Sequence, residues 1–116
     1  MATLTLYHNP RCSKSREALS LLEARGADVA VRRYLDEPLS LVELRALSLR
    51  LEGPIEALVR SNEAQWKALG LDAPSDEQRL AAISDHPRLM QRPILDRGDR
   101  AIIGRPPEAI LALLDT

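Results

Sequence analysis

Within its first 34 residues the chain spells out a strand, a break, a helix and a second strand, and that order limits what the rest can fold into. Thr3-Leu4-Thr5-Leu6-Tyr7 alternates with period two, which predicts a strand over residues 3–7. Asn9-Pro10 stops it. Ala18, Leu19, Leu21 and Leu22 share one face of a helix expected from Ser13 to Arg25, and Gly26 stands where a left-handed residue closes a helix. Val29 and Val31 mark a second strand over Asp28–Tyr34, ended by Glu37-Pro38. The result is a βαβ unit.

The remainder supplies the complement. Ser40-Leu41-Val42-Glu43 has the spacing of a capping box and opens a helix through about Arg50. Gly53-Pro54 interrupts, and a short helix carrying Ile55 and Leu58 follows. After a loop at Gly70–Pro74, Ser75-Asp76-Glu77-Gln78 opens a helix to about Asp85, which His86-Pro87 ends. Ile94-Leu95, a turn at Arg97-Gly98-Asp99 and Ala101-Ile102-Ile103 read as a compact hairpin. Pro106 opens a last helix over Pro107–Leu114, with Ile110, Leu111 and Leu114 facing inward. A βαβ half, a helical segment and a ββα half predict an α/β, thioredoxin-like fold. Its four-stranded mixed sheet is flanked by helices, and a helical insertion at about 40–86 lies between the halves. Trp66 and Tyr34 read as packing residues.

At 116 residues, the span 1–116 fits a single domain. With 45% apolar and 28% charged residues it is composed like a soluble globular protein. Lys+Arg 16 against Asp+Glu 17 leaves a net charge of −1, which argues against binding nucleic acid through bulk charge. The longest apolar run, Ala109–Leu114, falls far short of the roughly 20 residues a bilayer span needs, so no membrane association is expected. The N-terminus has no basic stretch and no long apolar run, so no signal peptide is expected. Cys12 is the single cysteine, which fits a reducing, cytoplasmic setting. Two histidines, one cysteine and no acidic cluster make no credible metal site. The chain shows no long apolar surface stripe, and a monomer is expected. Among its basic residues 14 are Arg. GC-rich codon usage and selection of a few guanidiniums for oxyanion binding both produce such a bias, and position separates them.

Position singles out His8-Asn9-Pro10-Arg11-Cys12-Ser13-Lys14-Ser15-Arg16. Cys12 falls where the first strand hands over to the first helix. Unpaired backbone N–H groups and the positive end of the helix dipole favour a thiolate there, and a bound anion as well. Arg11, Lys14 and Arg16 add positive charge, so a thiol pKa below the ordinary ~8.5 is expected. His8 either adds charge as a cation or, as a neutral ring, holds the loop. His86 reads as a helix C-cap. Ser15 rules out a C-x-x-C dithiol, and Ala18 rules out the C-x5-R loop of phosphotyrosine phosphatases. A lone thiolate performing a two-electron reduction needs a second thiol from outside, and glutathione and a glutaredoxin are the cytosolic donors.

The segment His8 to Arg16, the segment Leu58-Val59-Arg60-Ser61-Asn62, the tripeptide Arg92-Pro93-Ile94 and the run Gly104-Arg105-Pro106-Pro107-Glu108 together resemble the glutaredoxin-linked arsenate reductase family, in matching order and spacing. The variant here is similar to the branch described as arsenate-reductase-like. The resemblance implies that Cys12 attacks arsenate and forms a thiol–arsenic(V) adduct. It implies that Arg60, Arg92 and Arg105 hold the oxyanion, as forked guanidiniums suit tetrahedral anions. Glutathione then serves as co-substrate, with no bound cofactor, and glutaredoxin regenerates Cys12 in a cycle of arsenic detoxification. Asn9, Arg11, Ser13, Ser15 and Arg16 form the active-site loop, and Pro93 corresponds to the cis-proline of thioredoxin folds. Two other readings compete. Thiol-stress transcriptional regulators that bind RNA polymerase share the fold but usually carry C-x-x-C and lack an arginine at the place of Arg105. Monothiol glutaredoxin-like proteins share C-x-x-S with Cys12 and Ser15, but the insertion and the three arginines do not suggest them.

Overall fold

The computed structural model describes residues 4–114. Strand β1 (Leu4–His8) lies at the centre of a four-stranded sheet in the order β2-β1-β3-β4. It pairs in parallel with β2 (Val29–Arg33), from Leu4 opposite Val29 to His8 opposite Arg33. On its other side it pairs antiparallel with β3 (Ile94–Asp96), which forms a hairpin with β4 (Ala101–Ile103). The mixed thioredoxin-like sheet follows directly. Thr3, placed in the first strand from its pattern, lies outside the described residues.

Alternation along β1 and β3 sends neighbouring side chains to opposite faces. Leu6 and Leu95 join Ala18 and Leu22 of α1 (Ser13–Ala24) with Ile110 and Leu113 in one core. Tyr7, Ile94 and Ala101 join a second core with Leu44 and Leu47 of α2 (Leu41–Arg50) and Leu80 and Ile83 of α4 (Asp76–Asp85). Truncating a buried leucine such as Leu22 or Leu44 to Ala costs about 2–5 kcal/mol.

The helix signals act locally. Ser40 and Ser75 each accept a hydrogen bond from the backbone N–H three residues on, Glu43 and Gln78, and the side chains of those residues return the bond. Gly26 takes φ 66 just past α1, where a Cβ would be strained. Between α2 and α4 lie a 3-10 turn (Ile55–Leu58) and a short helix, α3 (Ala64–Ala68), which the sequence pattern did not announce. Trp66 on α3 is partly buried against the second core. A further 3-10 turn (Pro87–Leu89) follows α4.

The last element departs from expectation. Pro107–Leu113 is a 3-10 helix, and its period of three buries Ile110 and Leu113, leaving Leu111 and Leu114 only partly covered. Leu111 and Leu114 still pack against that core, but from its edge. Among the described residues no helix is long and apolar enough to cross a membrane.

Candidate active site

Cys12 is the N-cap of α1, with φ −95 and ψ 122, and is 9% exposed. The loop before it closes on itself: the Cys12 N–H donates to the Asn9 carbonyl at 3.0 Å, and the Arg11 N–H donates to Asn9 Oδ1 at 2.9 Å. Burial pushes the thiol towards its neutral form. The Ser15 N–H, the Arg92 guanidinium and the Lys14 N–H favour the thiolate, and together they outweigh burial, so the Cys12 pKa falls below the ordinary thiol value.

Two arginines stand at the sulfur. Arg92 carries its charge beside it and favours the thiolate. Arg105 brings Nη2 to 3.9 Å from Sγ, while its Nε donates to the Arg92 carbonyl at 2.9 Å. The backbone at Pro93 and Gly104 sets this pairing. Arg92–Pro93 and Arg105–Pro106 are both cis peptides, and the Gly104 N–H donates to the Pro93 carbonyl at 2.8 Å. A Cβ on Gly104 would lie 2.8 Å from Pro93 Cγ, so only glycine lets the two loops approach this closely. Arg92 Nε is buried with no partner among the described residues. A buried donor left unmade is costly, so this one calls for an acceptor.

Arg60 arrives from the helical segment. The Arg60 N–H donates to the Leu89 carbonyl at 2.8 Å and the Gln91 N–H to the Leu58 carbonyl at 2.7 Å, which pins residues 58–60 against 89–91, next to Arg92. Its side chain is ion-paired with Glu63. Arg60 and Arg92 line a cleft of about 610 Å³, together with Asn9, Arg11, Tyr34 and Arg88. Arg60 and Arg105 also line a hollow of about 200 Å³ beside Ser61, Asn62 and Gln91. Arg60 thus shares one hollow with Arg92 and another with Arg105.

His8 turns away from this chemistry. It is 5% exposed, and its Nδ1 lies 2.7 Å from Ser15 Oγ, which also accepts the Asn9 N–H at 3.0 Å. Burial, then the charges of Arg33 and Arg16, push the His8 pKa below its ordinary value. The ring is neutral at pH 7, so of the two roles open to it the structure favours holding the loop over supplying charge. Ser15 is fully buried under that bond, and Arg16 donates to the Pro10 carbonyl at 2.9 Å. Ser13 is exposed and lines a separate shallow groove along α1. His86 is the C-cap residue of α4, with Nδ1 3.2 Å from Gln65 Nε2.

Tyr34 is more than packing. It is 1% exposed yet lines the cleft. Burial raises its pKa against the opposing charges of Arg92 and Arg105. The signal for it was positional: Tyr34 follows β2, at the carboxyl end of the two parallel strands, where α/β sheets place their ligands. Glu63 and Arg88 had no such signal, as only the packing of the helical segment brings them to the cleft.

The arrangement combines a thiolate with two guanidiniums, Arg92 and Arg105, that form no ion pair with a carboxylate among the described residues. Elsewhere Arg32, Arg50, Arg79 and Arg100 are neutralised by Glu43, Asp96, Asp76 and Glu52. At Cys12 the positive charge is left open to an anion.

The sequence matches the model of the ArsC family over residues 7–113. It is 44% identical to an arsenate reductase of Neisseria meningitidis, covering 98% of this chain and 100% of that protein. It is 43% identical to an uncharacterized Escherichia coli protein, YfgD, covering 94% of each. The structure of an arsenate reductase from Vibrio cholerae superposes with a TM-score of 0.88 at 40% identity, covering 96% of this chain and 97% of that one. With a family match over nearly its whole length and relatives above 40% identity, the chain belongs to the ArsC family.

Proposed function

We propose that this protein is an arsenate reductase that works through an arsenic adduct on Cys12, with glutathione and glutaredoxin as electron donors in the cytoplasm. The observation that carries the reading is a sulfur flanked by Arg92 and Arg105, its pKa held below the ordinary thiol value, with a buried Arg92 Nε that finds no acceptor among the described residues. The names of its relatives in Neisseria meningitidis and Vibrio cholerae support the choice of oxyanion.

The chemistry proceeds in three balanced steps. The Cys12 thiolate attacks arsenic, an As–O bond breaks, and the oxygen leaves as water once it takes up protons. Arg92 and Arg105, joined by Arg60 when it exchanges Glu63 for substrate, hold the oxyanion and the charge that develops on it. An external thiol then attacks the Cys12 sulfur. The S–As bond breaks with its electron pair going to arsenic, so arsenic(V) becomes arsenic(III) and leaves as arsenite, while Cys12 becomes a mixed disulfide. A second thiol exchanges with that disulfide and returns Cys12 to the reduced state. His8 acts at one remove, holding Ser15 and so the N–H that faces the sulfur.

Arsenate-dependent NADPH oxidation, coupled through glutathione reductase, glutathione and glutaredoxin, tests the reading. Turnover is expected with the wild type and not with Cys12→Ser. Turnover that survives Cys12→Ser, or is absent from the wild type, overturns it.

A further inference from the structure

The cleft lined by Arg60 and Arg92 is too large for the oxyanion alone. A tetrahedral oxyanion fills roughly twice the ~30 Å³ share of one water, whereas the cleft measures about 610 Å³. That is the size of a small-molecule site, typically ~300–1,000 Å³. Its charged lining extends past Arg60 and Arg92. Arg11 and Arg88 are both exposed, both line this cleft, and among the described residues neither side chain forms an ion pair or hydrogen bond. Arg88 sits on the 3-10 turn Pro87–Leu89, whose backbone is tied back by the Leu89 N–H to the His86 carbonyl at 2.9 Å. Glu63 supplies one opposite charge on the same wall, and Leu35, 41% exposed, gives an apolar stretch.

We propose that the outer part of this cleft seats the external thiol as a small anionic peptide thiol with two carboxylates and an ammonium group, with Arg88 and Arg11 taking the carboxylates and Glu63 the ammonium. This rests on the reading of Cys12 as a thiol-dependent reductase. Glutathione has this chemistry. Guanidinium–carboxylate pairing at two separated points orients such a ligand along the cleft and leaves its sulfur at the Cys12 end. The same arrangement gives no advantage to a neutral thiol.

The test has two arms. In the first, S-methylglutathione, whose sulfur cannot react, is titrated into the Cys12→Ser protein and followed by NMR. Saturable binding is expected, weakened about tenfold by Arg88→Glu and returned to within about twofold by Arg88→Lys. In the second, arsenite formation is followed directly with glutathione and with 2-mercaptoethanol. Arg88→Glu is expected to raise the KM for glutathione about tenfold and to move that for 2-mercaptoethanol by less than about twofold. Equal binding of S-methylglutathione by the parent and Arg88→Glu proteins overturns the assignment, as does an equal loss with both thiols. Absence of arsenite formation with every thiol overturns the reductase reading instead, and the binding arm still decides the seat.

Discussion

Replacing Arg92 by Gln removes the side chain that most favours the Cys12 thiolate. A hydrogen bond to a charged group contributes about 1.5–3 kcal/mol, and each ~1.4 kcal/mol is tenfold in an equilibrium constant. Arg105 remains 3.9 Å from the sulfur, and the Ser15 and Lys14 N–H groups also remain. The lower end of the range is therefore the better guide, and the ionisation constant of the Cys12 thiol should fall about tenfold. Arg105→Gln removes a contact of 3.9 Å and should lower it only about two- to threefold, since the Arg92 charge persists. Arg60→Gln should leave it within about twofold, because that guanidinium is paired with Glu63 and not with sulfur. The assay is the rate of Cys12 alkylation by iodoacetamide across a pH series, as only the thiolate reacts. The wild-type rate should reach its plateau below the pH at which an ordinary thiol does, and Arg92→Gln should move the plateau upward. Wild-type kinetics in Arg92→Gln, or an effect of Arg60→Gln equal to that of Arg92→Gln, would refute the reasoning.

Other expectations follow from the same geometry. His8 is buried and its pKa lies below the ordinary histidine value, so its ring signals should titrate below pH 6.5 by NMR, and His8→Gln should change the alkylation rate by less than about twofold at pH 7. Asp96 is buried and accepts from Arg50, Gly98 and Tyr7; burial opposes its charge, but those bonds prevail and hold its pKa below the ordinary value. Its contribution is complete above the ordinary carboxylate pKa and is lost as pH falls through the folded-state value. Asp96→Asn should therefore cost about 2–3 kcal/mol in urea unfolding at pH 7 and flatten the loss of stability below pH 4. Gly104→Ala forces a Cβ to 2.8 Å from Pro93 Cγ, so it should cost about 1–3 kcal/mol and slow arsenate turnover, both measurable on one preparation.

Much of the fold was legible in local pattern because its signals are local. A capping box needs only four residues, as at Ser40–Glu43 and Ser75–Gln78, and each opens its helix where the spacing predicts. Gly26 closes α1, and the alternation in β1 sends Leu6 and Tyr7 to different cores. Short α3 has no buried residue and no side-chain cap, so no periodicity marked it. The final helix misled because six apolar residues in a row, Ala109–Leu114, carry no phase. Whether such a run winds with period 3.6 or 3.0 depends on how it packs, and packing against α1 and β4 buried Ile110 and Leu113.

The site divides along the same line. From sequence alone come the strand-to-helix turn at Cys12, the positive charge around it and the absence of a second thiol, because these depend on residues within a few positions of one another. Tertiary structure alone decided which arginines reach the sulfur. Arg92 and Arg105 meet there because the Pro93–Gly104 contact binds two loops, while Arg60 is held off on Glu63. It also decided that His8 faces Ser15 rather than Cys12, that Tyr34 reaches the cleft, and that Arg88 lines it. A side chain's partner across the fold depends on loop paths and on what is buried between, and no spacing along the chain encodes that distance.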